Sequence, residues 1–172
     1  FNDIGRHNIG ALKTALAGPN AAELLRAREP RFNFTLLHVA CEVGSVAIID
    51  MLVSHGADIE AETKRGDRPL SFAVLHKHFH AVDAMLRHGA DIAAKGHYGR
   101  TPLHMNASDG DIEIAKLLLD RGANIDRARD DGATPLSIAS YCGHEAVARL
   151  LARRGADLKH APLPADEDRG VL

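Results

Sequence analysis

One interval governs this chain. The pairs Gly56-Ala57, Gly89-Ala90, Gly122-Ala123 and Gly155-Ala156 follow one another every 33 residues. The same interval links Thr35, Arg68, Thr101 and Thr134, and again Leu37, Leu70, Leu103 and Leu136. A period of this length specifies a stacked repeat array rather than one core closed by distant contacts. Such a stack offers a long, rigid recognition surface and usually no catalytic pocket.

The unit follows from local chemistry. Thr101-Pro102-Leu103-His104 and Thr134-Pro135-Leu136-Ser137 read as helix starts. Thr oxygen caps free N–H groups, and Pro suits the first helical position. Gly44, Gly110 and Gly143 then mark where a first helix stops in a left-handed residue. A second helix follows, in which Ile114, Leu117 and Leu118 recur at i, i+3 and i+4 and so share a buried face. The Gly of each Gly-Ala pair ends it, and Gly66, Gly99 and Gly132 fit tight hairpin turns. Ile59, Ile92, Ile125 and Leu158 predict one packing column along the stack, and Ala40, Ala73 and Ala139 another.

With these Thr-Pro-Leu-His and Leu-Leu-x-x-Gly-Ala motifs in constant register, residues 32–161 resemble the ankyrin-repeat family. The resemblance implies an all-α solenoid: stacked antiparallel helix pairs with projecting β-hairpin loops. Four repeats are expected, at about 32–62, 63–95, 96–128 and 129–161. Residues 1–31 read as a degenerate capping repeat, its helical segments falling within residues 8–28, and 162–172 as a loose acidic, proline-containing tail. The first residue is Phe1, which suggests a processed or excised piece.

Three positions break the pattern. Arg68 replaces the capping Thr, so either Asp67 caps that helix or its start is weak. Lys77 stands where other units have Gly, and a left-handed backbone there costs about 1–2 kcal/mol. Asn106 replaces the packing Ala, and its amide must find partners if buried.

Other chemistries find little support. A formal net charge of −2 gives no global basic field for nucleic acid, and no apolar run has the length of a membrane span. Cys41 and Cys142 lie three repeats apart, too far to bridge, so both are expected as free thiols, consistent with a cytoplasmic or other intracellular setting. His76, His78 and His80 invite a metal, but no Cys-His or carboxylate-His spacing of a known site accompanies them. Neither cysteine sits in a nucleophile motif, so no catalytic residue, metal or cofactor is expected. His55, His88, Arg121 and Arg154 precede the Gly-Ala pairs, with Asp58, Asp91, Asn124 and Asp157 three residues on. They form either an electrostatic strip or, as is favoured, helix-end and loop-organising residues.

The resemblance implies a protein partner held on the concave face by loop tips and exposed first-helix positions. Carried onto this sequence, those positions are Val43, Lys64, Arg65, Leu75, His76, His97, Tyr98, Arg100, Asp109 and Tyr141. Phe32 and Phe34 occupy the first tip or pack on the terminal unit. The chain would then serve as an adaptor, an inhibitor or a targeting domain. The alternatives are delivery of an enzyme encoded outside this segment, or a histidine metal site.

Overall fold

The computed structural model describes residues 9–158. Ten α-helices and one 3-10 turn (His97–Gly99) occupy them, and no strand forms among the described residues. They pair as α1 (Ile9–Leu16) with α2 (Ala21–Arg26), α3 (Leu36–Glu42) with α4 (Val46–Ser54) and α5 (Pro69–Leu75) with α6 (Phe79–Arg87). Then come α7 (Pro102–Asp109) with α8 (Ile112–Asp120) and α9 (Pro135–Tyr141) with α10 (Glu145–Arg153). First helices α3, α5, α7 and α9 stack in one layer, and second helices α4, α6, α8 and α10 in the other. The short α1 packs on α2 and α4. The expected acidic tail lies outside the described residues.

The helix signals act as the sequence predicts. Thr35 Oγ1 accepts from His38 N–H at 3.3 Å, and Pro69, Pro102 and Pro135 open their helices. Gly44, Gly110 and Gly143 have φ of 71°, 76° and 75°, and Lys77 adopts the same left-handed conformation at φ 57°. Burial supplies the main stabilisation. Ile48, Ile49 and Leu52 of α4, Met85 of α6, Ile114 and Leu118 of α8 and Leu151 of α10 are completely enclosed. Each contributes about 1.5–3 kcal/mol. Ala40, Ala73 and Ala139 are fully buried, where a small side chain lets successive first helices approach. Ile59, Ile92 and Ile125 are half-buried in their column, whereas Leu158 lacks a described layer to cover it and is exposed.

The projecting loops are reduced to their turns. Thr63 N–H donates to Asp67 O at 3.0 Å, Gly96 N–H to Arg100 O at 2.8 Å and Arg129 N–H to Ala133 O at 3.0 Å. Too few bonds follow to make a ladder. In the first tip Asn33 (φ 66°) takes the place of Gly66, Gly99 and Gly132. Asparagine tolerates this region better than most side chains.

The structure decides between the two alternatives at the start of α5 and satisfies Asn106 only in part. Asp67 does not cap α5, and the residue in the capping position, Arg68, makes no side-chain cap bond either. Its Oδ1 instead accepts from His97 N–H in the next tip at 3.1 Å. A cap must sit next to the first turn, and residue 67 lies one position too early. The buried Asn106 is half satisfied: Nδ2 donates to Asp111 O at 2.9 Å, while Oδ1 has no partner.

Side chains clasp adjacent repeats. Buried His38 takes the Thr35 N–H on Nδ1 (3.1 Å) and donates through Nε2 to Asp67 O of the next unit (3.3 Å). His104 does the same with Thr101 N–H (3.1 Å) and Ala133 O (3.2 Å). Burial pushes both imidazoles down to a pKa of about 4, so each is the neutral Nε2–H tautomer. From the other direction, His78 Nε2 donates to Glu42 O at 3.0 Å and His144 Nε2 to Ser108 O at 2.8 Å. Their rings lie over Gly44 and Gly110 so closely that a Cβ on either glycine would collide with them.

On the second-helix layer, His88 meets Asp50 (2.7 Å), Arg121 meets Asp83 and Arg154 meets Asp120 (2.7 Å), each pair joining neighbouring units. Asp58, Asp91 and Asn124 accept backbone N–H groups two residues ahead, at 2.9–3.1 Å, and so organise their own loops. These residues therefore hold helix ends, loops and neighbours rather than form a free strip. Their exposed ion pairs add little individually.

Candidate functional site

Four tips line up along one edge: residues 31–34, 64–67, 97–100 and 130–133. Neighbouring tips touch through Lys64 N–H to Phe32 O (3.0 Å) and Asp130 N–H to Tyr98 O (3.2 Å). Between the second and third tips the Asp67 carboxylate substitutes for a backbone carbonyl, and Gly96 leaves room for it.

Beneath the first three tips runs a groove made of two adjoining cavities. One, of about 470 Å³, lies among Arg31, Phe32, Phe34, Lys64, Arg65 and Leu75. The other, of about 210 Å³, is bounded by Leu75, His97, Arg100 and Met105. Arg65, Asp67, Phe72 and Leu75 belong to both. Aromatic packing forms the floor: Phe34 stacks on His38 (5.7 Å between centroids) and meets Phe72 edge-on (5.0 Å). Phe34 thus packs forward onto the second repeat rather than back onto the terminal unit. Leu75, 51% exposed, and Phe32, 43% exposed, leave apolar surface open in the groove.

The structure brings Lys64, Arg65, Leu75, His97 and Arg100 together here. Tyr98, 68% exposed, has its ring tilted at 51° against His97 (3.8 Å between centroids) but borders a separate depression with Arg129, Asp130 and Asp131. Tyr98 itself is left-handed (φ 58°), at a cost of about 1–2 kcal/mol. Tyr141 is 64% exposed at the end of α9. Val43 is half-buried against the core where α3 ends, so little of it is offered outward. His76 is exposed at the end of α5, its ring stacked on His78 at 6.2 Å. Asp109 is half-buried, its carbonyl accepting Lys77 Nζ at 2.9 Å.

The groove residues not anticipated from sequence are Arg31, Thr63, Ser71, Phe72 and Met105, together with Phe34 as floor. The available signal was an aromatic at position 72, where equivalent positions hold Val39, Met105 and Ile138.

The two ends of the tip row differ electrically. In the fourth tip Arg129 pairs with Asp131 at 2.6 Å, and this bond with the Ala133 N–H holds the carboxyl at a pKa of about 2. In the first tip the Glu29 carboxylate accepts the N–H groups of Phe32 (2.6 Å) and Arg31 (2.7 Å), which lower its pKa. The guanidinium groups of Arg31, Arg65 and Arg100 have no carboxylate partner among the described residues, and Arg100 Nε is buried without any hydrogen-bond acceptor.

Among the described residues the two thiols lie in different surroundings. Cys41 is buried and its thiol pushed up by desolvation; Cys142 is exposed. No group of three or more metal-ligating side chains gathers among the described residues. Nor is any described helix long and apolar enough to cross a membrane.

The family model described as Ankyrin repeats (3 copies) matches residues 7–96 and 93–161. The chain belongs to the ankyrin-repeat family. Ankyrin repeats are generally protein–protein interaction modules, typically without catalysis of their own. No curated protein is significantly similar in sequence to this ankyrin array. The family therefore gives the class of function, and the groove must indicate the site.

Proposed function

We propose that this ankyrin array binds a partner protein through its concave face, centred on the groove around Leu75. The supporting observation is an apolar floor of Phe34, Phe72 and Leu75 rimmed by Arg65 and Arg100, whose guanidinium groups are unpaired within the described chain. Aromatic side chains and arginine are among those that carry most of the binding energy at interfaces. Because the helices beneath are fully packed, the surface is preorganised and little ordering entropy is lost on association. The role is that of an adaptor, an inhibitor or a targeting domain.

Affinity capture from a lysate of the source organism tests this, comparing the native chain with Leu75→Asp, both shown folded by circular dichroism. A protein retained by the native chain and lost from Leu75→Asp is the expected result. Equal retention of that protein by both would place the site off the groove. A companion variant, Tyr98→Ser with Tyr141→Ser, reports whether the surface extends to the third tip and α9.

A further inference from the structure

We infer that the groove receives an acidic segment bearing one apolar anchor: a short stretch of partner chain with a large aliphatic or aromatic side chain flanked by Asp or Glu. This rests on the concave-face reading above and specifies its partner.

Charge carries the inference. Arg31, Lys64, Arg65 and Arg100 face the groove, and Asp67 is its one lining carboxylate. Asp67 Oδ1 is already engaged by the His97 N–H, and nearby Glu29 by two backbone N–H groups. Lys64 Nζ rests on the Pro30 carbonyl at 2.8 Å, and the Glu29 carboxylate lies close enough to feel the charges of Lys64 and Arg31, so four cations at the groove face two carboxylates. The chain as a whole carries −2, so this excess is local. By contrast Arg87, Arg121 and Arg154 on the second-helix layer each meet a carboxylate. Arg100 adds a second observation: it lines the groove with a guanidinium that is under-satisfied within the described chain, its Nε being buried without an acceptor. Guanidinium groups bind carboxylates in forked pairs, and the cavity beside Leu75 and Met105 is apolar where an anchor would enter. A basic partner would be repelled, and a purely apolar one would bury those guanidinium groups unpaired.

A random dodecapeptide library displayed on phage, selected against the immobilised chain at low salt, tests this directly. Enriched sequences should place Asp or Glu within two residues of Leu, Met, Phe or Trp. Synthetic peptides from the selection should bind Arg65→Glu with Arg100→Glu on the order of 100-fold more weakly, and lose affinity as salt rises. The single Arg65→Glu, at an exposed position, serves as the control if the double variant is unstable. Enriched peptides without acidic residues that Leu75→Asp still abolishes would overturn the acidic class and keep the concave site. Enrichment insensitive to both Leu75→Asp and the arginine variants would overturn both. No enriched sequence would overturn the short acidic segment, leaving lysate capture to decide the concave reading.

Discussion

The three joints between the four full repeats are not built alike. The first and third are clasped by histidines from both sides: His38 and His78 in one, His104 and His144 in the other. The middle joint has none of these bonds. Ser71 replaces the motif histidine, Lys77 the glycine and Asp111 the crossing imidazole. Lys77 Nζ reaches forward to the Asp109 carbonyl, Asp111 turns inward to cap α8 at the N–H groups of Glu113 and Ile114, and Asp67 carries the tip contact. The comparison explains the misplaced lysine. At the end of the first helix glycine is needed for space only where a ring packs over it, as at Gly44 and Gly110; with Asp111 in place of histidine, Lys77 meets only the backbone penalty. Residues that look like independent lapses therefore form one alternative joint.

Acid should separate the two kinds of joint most strongly. His38 and His104 have folded pKa values of about 4, below the usual 6.5 of the unfolded chain, so the unfolded state binds more protons between these limits. Their contribution is complete above pH 6.5 and declines as pH falls toward 4, by about 3 kcal/mol per ring. Urea melts from pH 7 to 4 should show this loss, and ring NMR shifts should report both imidazoles still neutral near pH 5. Rings that titrate near 6.5 would remove the distinction between the joints.

A smaller effect isolates the ring contact. Gly110→Ala incurs both the left-handed backbone and the collision with His144, about 2–3 kcal/mol together. Gly143→Ala has the same φ with open space around it, so about 1 kcal/mol is expected. Equal losses in denaturant midpoints would mean that His144 swings aside freely.

The subtlest experiment converts the middle joint. Lys77→Gly should stabilise by about 1 kcal/mol, the backbone gain exceeding the single exposed bond to Asp109. Asp111→His alone should destabilise, because it loses the cap of α8 and sets a ring over Lys77. Combined, the two changes should exceed the sum of their separate effects in thermal melts. Simple additivity would show that positions 77 and 111 are not coupled.

Much of this was legible in advance. The 33-residue interval gave the layers, the helix ends and the left-handed Lys77, because those depend on neighbours in sequence. The family resemblance, carried along the same register, implied one face for Lys64, Arg65, Leu75, His97 and Arg100, and these five meet in one groove. What escaped depends on side chains crossing between units. The turn of Asp67 toward His97 and of Phe34 toward Phe72 are rotamer choices, and periodicity carries no information about them. Val43 shows the converse: its register is outward, but packing where α3 ends draws it half under.

The left-handed Tyr98 has a consequence for anyone engineering this array. Replacing it with Asn or Gly would relieve its backbone, so a screen for heat resistance alone would discard the residue early. A screen for partner retention would keep it if the third tip takes part in recognition. Running the two selections in parallel turns one residue into a gauge of how far durability and recognition compete in this scaffold.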